Sequence, residues 1–78
     1  MYTIYSKEDC PSCDTAKNIL NEKGIKFKEI KLGRDIMDRN EFIAEIMDKS
    51  GVIPRAAPQI FFNEKYIGNL DHFLEHIK

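Results

Sequence analysis

Residues 7–13 read Lys7-Glu8-Asp9-Cys10-Pro11-Ser12-Cys13, and they hold both cysteines of the 78-residue chain with two residues between them. On the N-terminal side, Tyr2 and Ile4 alternate with Thr3 and Tyr5 in a run rich in aromatic and β-branched residues, the pattern of a strand ending at Ser6. On the other side, Ala16, Ile19 and Leu20 recur at helical spacing within Pro11 to Lys23, and Gly24 follows as a left-handed terminator. The cysteines therefore sit where a strand hands over to a helix. Cys10 stands at the helix entrance and Cys13 one turn in, close enough to bridge.

That position decides the chemistry to expect. Pro11 suits the first helical position, where its missing N–H would be unpaired anyway. The unsatisfied amides and the positive end of the helix dipole then favour a thiolate on Cys10. Lys7 adds a cation on the approaching loop. Cysteines in such surroundings have pKa values lowered to roughly 3.5–7.5, and the thiolate is the attacking species. Cys10 is the expected nucleophile. Cys13, further from the dipole and from solvent, is expected to stay protonated until it resolves a mixed disulfide on Cys10.

Composition narrows the alternatives. Twelve Lys and Arg stand against 13 Asp and Glu, a net charge of −1 at pH 7. No basic excess of the kind that tracks phosphates is present, so nucleic acid is set aside. No apolar run approaches membrane-spanning length and no cationic-then-apolar leader opens the sequence, so a cytoplasmic protein without membrane contact is expected. The length suits one domain, 1–78, around a single core. In a reducing cytosol two cysteines are seldom a permanent bridge, which leaves a transient catalytic disulfide or a metal site.

Further along, Ile25 to Lys31 mixes Ile25, Phe27 and Ile30 with Lys26, Lys28 and Lys31, and reads as an edge strand guarded by lysines. Strand, helix and strand within about 30 residues make a right-handed βαβ unit with parallel strands. Leu32 to Asn40 has no readable pattern, although Ile36 and Met37 could form a partner-facing patch. Asp38 or Asn40 is set to cap the next helix, whose stripe of Phe42, Ile43, Ile46 and Met47 stops at Ser50 and Gly51. Pro58 opens a strand through Gln59, Ile60, Phe61 and Phe62; Asn63 and Glu64 turn it; Lys65 to Ile67 return as an antiparallel partner. Leu70, Phe73, Leu74 and Ile77 fall at i, i+3, i+4 and i+7 of a C-terminal amphipathic helix. The order is βαβαββα, an α/β fold with a four-stranded mixed sheet flanked by helices. A Cys-x-x-Cys at its first strand-to-helix junction is the signal of a thioredoxin-like redox site.

Cys10-Pro11-Ser12-Cys13 preceded by Lys7, then Ala57-Pro58-Gln59-Ile60-Phe61, then Ile67-Gly68 with Asp71, together resemble a glutaredoxin of the compact bacterial or phage type across essentially the whole chain. The resemblance implies a glutathione-dependent thiol-disulfide oxidoreductase acting on protein disulfides and glutathionylated thiols, with ribonucleotide reductase as a suggested client. It implies no tightly bound cofactor, glutathione as co-substrate and a monomer. By the same resemblance Pro58 is a cis proline, the Ala57 backbone pairs with the cysteine portion of glutathione like an added strand, and Ser12 flanks the site. Leu70 and Asp71 would bind the γ-glutamyl end at the start of the last helix. Lys7 would meet the glycine carboxylate, with a second cation near the second helix among Arg34, Arg39 and Arg55. Ser12 stands where the family usually has tyrosine, Ala56-Ala57 where threonine and valine are common, and Asn69 where a second glycine is common.

Three other readings use the same residues. Structural zinc would take Cys10, Cys13, His72 and His76, the histidines being at i, i+4 on one helix face, although Cys13 and His72 are far from a finger's spacing. Both histidines also fit the solvated side of the last helix. A thioredoxin-type reductant served by a flavoprotein reductase would share the fold, but Asp9 stands where such proteins have tryptophan. An iron-sulfur carrier would use the first cysteine and glutathione at a dimer interface, and Pro11 stiffens the loop that such carriers leave freer.

Overall fold

In a computed structural model that describes residues 1–78, the chain forms β1 (Tyr2–Ser6), α1 (Pro11–Glu22), β2 (Phe27–Lys31), α2 (Arg39–Ser50), β3 (Gln59–Phe62), β4 (Lys65–Gly68) and α3 (Leu70–Ile77). The element order is the one expected from the sequence. The four strands make a single sheet ordered β2-β1-β3-β4. β1 and β2 run parallel, with Tyr2 opposite Phe27 and Ser6 opposite Lys31. The other neighbouring pairs are antiparallel. β2 is thus an edge strand, as its lysines suggest.

Alternation along the central strands feeds two apolar layers, because successive side chains point to opposite faces of a sheet. Tyr2 and Ile4 of β1 and Ile60 of β3 join Ala16 and Leu20 of α1 and Phe73 of α3 on one face. Tyr5 of β1 and Phe61 of β3 join Phe42 and Ile46 of α2 on the other. Aromatic edges lock both layers: Phe73 meets Tyr2 with ring centroids 5.5 Å apart, and Phe61 meets Tyr5 at 5.6 Å.

The differences from the sequence reading lie at element ends. α1 stops at Glu22, one residue short of Lys23. The Ile25 amide then bonds the Leu20 carbonyl at 2.9 Å and its side chain packs against the first apolar layer. Ile25 therefore closes the helix, and β2 starts at Phe27. In the patternless stretch Leu32 pairs with Ile36 in an isolated bridge, and the Lys31 amide donates to the Asp35 carboxylate at 2.9 Å. Ile36 packs half-buried against the second layer, so of the Ile36–Met37 patch only Met37, 74% exposed, faces outward. Asp38, not Asn40, caps α2, accepting from the Asn40 amide at 2.7 Å. Gly51, at φ 73°, ends that helix by donating its amide to the Met47 carbonyl.

Register places the site. β1 delivers the loop Lys7–Asp9 into α1 at its C-terminal end. β3 runs antiparallel beside it with Tyr5 opposite Gln59, so the start of β3 lies against the end of β1. The Cys10 loop and the Pro58 loop, remote in sequence, are thereby brought side by side. No helix is long and apolar enough to cross a membrane.

Candidate active site

Cys10 is the N-cap of α1, with φ −124° and ψ 91°, and Pro11 is the first helical residue. Asp9 turns the chain into the cap at φ 51°, a left-handed conformation that aspartate tolerates because its short side chain can bond locally. The Cys13 amide donates to the Cys10 sulfur at 3.2 Å. The two cysteines are joined as a disulfide with Cα atoms 5.2 Å apart. Cys10 retains 8% exposure and Cys13 1%, so an incoming thiolate reaches Cys10 first. Once the bond is reduced, the Cys13 amide and the helix N-terminus stabilise negative charge on Cys10.

The second wall of the site is the Pro58 loop. The Ala57–Pro58 peptide is cis, as expected, and Pro58 is fully buried. The Ala57 carbonyl oxygen lies 3.7 Å from the Cys10 sulfur. Gln59, 5% exposed, fixes this loop from behind. Its amide nitrogen donates to the Ala56 carbonyl at 2.6 Å, and its amide oxygen accepts from the Tyr66 hydroxyl at 2.5 Å. The only sequence sign of that positioning role is a polar residue at the head of an otherwise apolar strand.

Beside Ala57 opens a groove of about 190 Å³ whose lining includes Lys7, Arg39, Arg55 and Ala56 above a floor with Leu32, Phe42 and Ile46. Arg39 is the first residue of α2. Arg34, the third arginine weighed from the sequence, is elsewhere: it pairs with Asp35 at 2.8 Å and Glu29 at 3.4 Å. Lys7, Arg39 and Arg55 pair with no carboxylate.

With this geometry in place, the comparisons with known proteins decide the family. A family model described as glutaredoxin matches residues 2–67. The chain belongs to the glutaredoxin family. It is 38% identical over 68 residues to glutaredoxin 3 of Escherichia coli strain K12, covering 87% of this chain and 75% of that one. Among solved structures it is similar to glutaredoxin 1 of Francisella tularensis complexed with cacodylate, with a TM-score of 0.81 at 28% identity over 97% of this chain and 90% of that one. A buckwheat glutaredoxin solved in complex with glutathione gives a TM-score of 0.81 at 25% identity, over 97% of this chain and 66% of that one. The sheet and helices are those of the thioredoxin-like fold. The protein is a glutaredoxin-type thiol-disulfide oxidoreductase with a redox-active cysteine pair.

The remaining residues singled out from the sequence take these places in the glutaredoxin fold. Ser12 is half-buried as the second residue of α1. Leu70 opens α3 with its side chain packed against the first apolar layer; Asp71 follows, exposed. Asn69, in place of the common glycine, caps α3 by accepting from the His72 amide at 3.3 Å. Gly68 at φ 126° is required where β4 turns into that helix, since a Cβ there would stand 2.5 Å from His72 Nδ1. His76 does not simply face solvent: its Nδ1 shares a hydrogen bond with the Tyr2 hydroxyl at 2.8 Å. No group of three or more His, Cys, Asp and Glu gathers as a metal site.

Beneath the cysteine loop lies a charge network that the sequence does not signal. The Glu29 carboxylate on β2 accepts from the fully buried Ser6 hydroxyl at 2.7 Å and from Lys17 of α1 at 2.8 Å. It ties the last residue of β1 to the helix that bears the cysteines. Burial pushes the Glu29 carboxyl up, but the hydrogen bonds from Lys17 and Ser6 and the charges of Lys17 and Arg34 outweigh it and hold the group below its ordinary value of 4.5. A carboxyl lowered on folding contributes stability above its unfolded pKa and loses it as pH falls through the folded one. Glu29→Gln is therefore expected to lower the melting temperature at neutral pH, with the gap to wild type closing as pH drops well below 4.5. A gap that stays constant with pH would show that the network does not act through the Glu29 charge.

Proposed function

We propose that this glutaredoxin reduces protein disulfides and glutathione mixed disulfides by a dithiol mechanism, with glutathione as the reductant. The observation that carries the reading is the Cys10 sulfur, set between the Cys13 amide and the Ala57 carbonyl beside a groove that includes Lys7 and Arg39. The Cys10 thiolate attacks one sulfur of a client disulfide; that S–S bond breaks, a Cys10–client bond forms, and the other client sulfur leaves and takes a proton. The Cys13 thiolate then attacks the Cys10 sulfur and expels the second client thiol, which leaves the Cys10–Cys13 disulfide and a client that has gained two electrons. A glutathione thiolate opens that disulfide at Cys10, forming a Cys10–glutathione adduct and freeing Cys13. A second glutathione attacks the adduct, giving oxidised glutathione and the Cys10 thiolate.

In this reading glutathione lies along Ala56–Ala57 as an added strand, with its cysteine portion paired to the Ala57 backbone beside Pro58. Its glycine carboxylate meets Lys7 and Arg39, the arginine at the head of α2. Its γ-glutamyl carboxylate meets the amides of Leu70 and Asp71 at the start of α3, and Ser12 offers a hydroxyl where a tyrosine ring is common. A reducing, cytosolic compartment suits this chemistry, and ribonucleotide reductase is one client worth assaying. Lys7→Ala is expected to raise KM for glutathione about tenfold with kcat nearly kept, the scale of one charge-assisted hydrogen bond. Steady-state turnover with a glutathione mixed disulfide reads this directly. An unchanged KM would remove Lys7 from the glutathione site, and turnover with a flavoprotein reductase in place of glutathione would favour the thioredoxin-type reading.

A further inference from the structure

The groove beside Ala57 holds more than glutathione needs. The glycine end of glutathione brings one carboxylate and no side chain. Lys7 and Arg39 suffice for that carboxylate, which leaves Arg55 and the apolar floor of Leu32, Phe42 and Ile46 without a counterpart. No carboxylate lines the groove, and its three cations are unpaired in a chain whose net charge is −1. Elsewhere Lys17 pairs with Glu29, Lys31 with Glu8 and Arg34 with Asp35, while Lys23, Lys26, Lys28, Lys49 and Lys65 are also without an ion pair, so what sets the groove apart is three cations gathered around one apolar floor. Ile53, which precedes the groove residue Pro54 in the chain, is 61% exposed.

We infer that this glutaredoxin prefers client disulfides in which the attacked cysteine is followed by acidic and apolar residues, the acids held by Arg55 and the apolar side chain by the groove floor. The inference rests on the glutathione reading for its direction. Glycine follows cysteine in glutathione, so what lies in the groove is whatever follows the attacked cysteine. A client strand paired to Ala57 in the same sense lays its next residues over Arg55. Charge complementarity across such a contact acts on both encounter rate and partner choice. The chemical step is the one already written: the client disulfide is reduced and Cys10–Cys13 oxidised.

The test uses the reduced protein without glutathione and three symmetric disulfides of blocked peptides, Cys-Asp-Leu-Asp, Cys-Lys-Leu-Lys and Asp-Leu-Asp-Cys. The second-order rate of Cys10–Cys13 oxidation is followed by acid quenching and mass spectrometry at low salt. The peptide with acids after its cysteine is expected to react about tenfold faster than the other two, less so as salt is raised. Arg55→Gln should bring the three within about threefold of one another while leaving the rate with hydroxyethyl disulfide unchanged. Equal rates in wild type, a preference that survives Arg55→Gln, or equal reaction of the peptide with acids before its cysteine would each overturn the inference. Failure of the glutathione reading itself appears separately, as absence of a glutathione adduct on Cys10, an outcome these peptides do not touch.

Discussion

Cys10→Ser is expected to reduce every thiol-disulfide exchange activity of the protein to the uncatalysed background, whereas Cys13→Ser abolishes reduction of protein disulfides and spares removal of glutathione from mixed disulfides. The asymmetry follows from where the two sulfurs sit. Cys10 caps α1, receives the Cys13 amide at 3.2 Å and keeps 8% exposure; Cys13 is one turn deeper at 1%. A serine hydroxyl at position 10 stays protonated at neutral pH, so the amide and the helix dipole have no anion to stabilise. Without Cys13 a Cys10–client bond has no internal resolving thiol, but a Cys10–glutathione bond still yields to a second glutathione. The check is turnover with an insulin-type protein disulfide beside turnover with a glutathionylated peptide. Loss of both activities in Cys13→Ser would show that the division of roles is wrong.

Phe73→Ala is expected to cost about 3–5 kcal/mol of stability, the usual scale for emptying a buried phenylalanine site. Phe73 is fully buried, is the only buried residue of α3, and packs edge-on against Tyr2. A chain of this size has about 4–12 kcal/mol in total, so the variant sits close to its unfolding threshold at room temperature. α3 also carries Leu70 and Asp71, and its undocking would take the proposed γ-glutamyl contacts with it. Urea titration should show the large loss for alanine and a much smaller one for Phe73→Leu. A loss below about 1 kcal/mol for alanine would mean that α3 unfolds apart from the rest of the sheet.

How much of this was legible in the sequence depended on the range of the interaction. Pro11, the two cysteines and the alternation before them mark a strand-to-helix junction within a dozen residues, because caps and periodicity are local. Asp38 capping α2 and Gly51 ending it follow from the same kind of local rule. Pro58 beside Cys10 was legible only through resemblance; its physical cause is the pairing of Tyr5 with Gln59, which no local pattern encodes. Gln59 held by Tyr66 of the neighbouring strand, and Glu29 joining Ser6 to Lys17, are contacts across strands and between layers, so their signals are dispersed among residues that read individually as ordinary polars. The separation of Arg34 from Arg39 and Arg55 is of the same kind. It emerges only when the turn at residues 33–36 sends Arg34 toward Asp35 and Glu29. Ile25 misled because its half-buried side chain packs on the sheet's apolar layer as a strand residue's would, while its backbone closes α1.

The central claim is that Cys10 carries glutathione during turnover, and native mass spectrometry of the Cys13→Ser variant after incubation with oxidised glutathione tests it most directly. Cys10 is then the only thiol in the chain. The mechanism predicts one glutathione per folded chain, bound to Cys10 and released by added free glutathione. No adduct under conditions that modify a small-molecule thiol would contradict it.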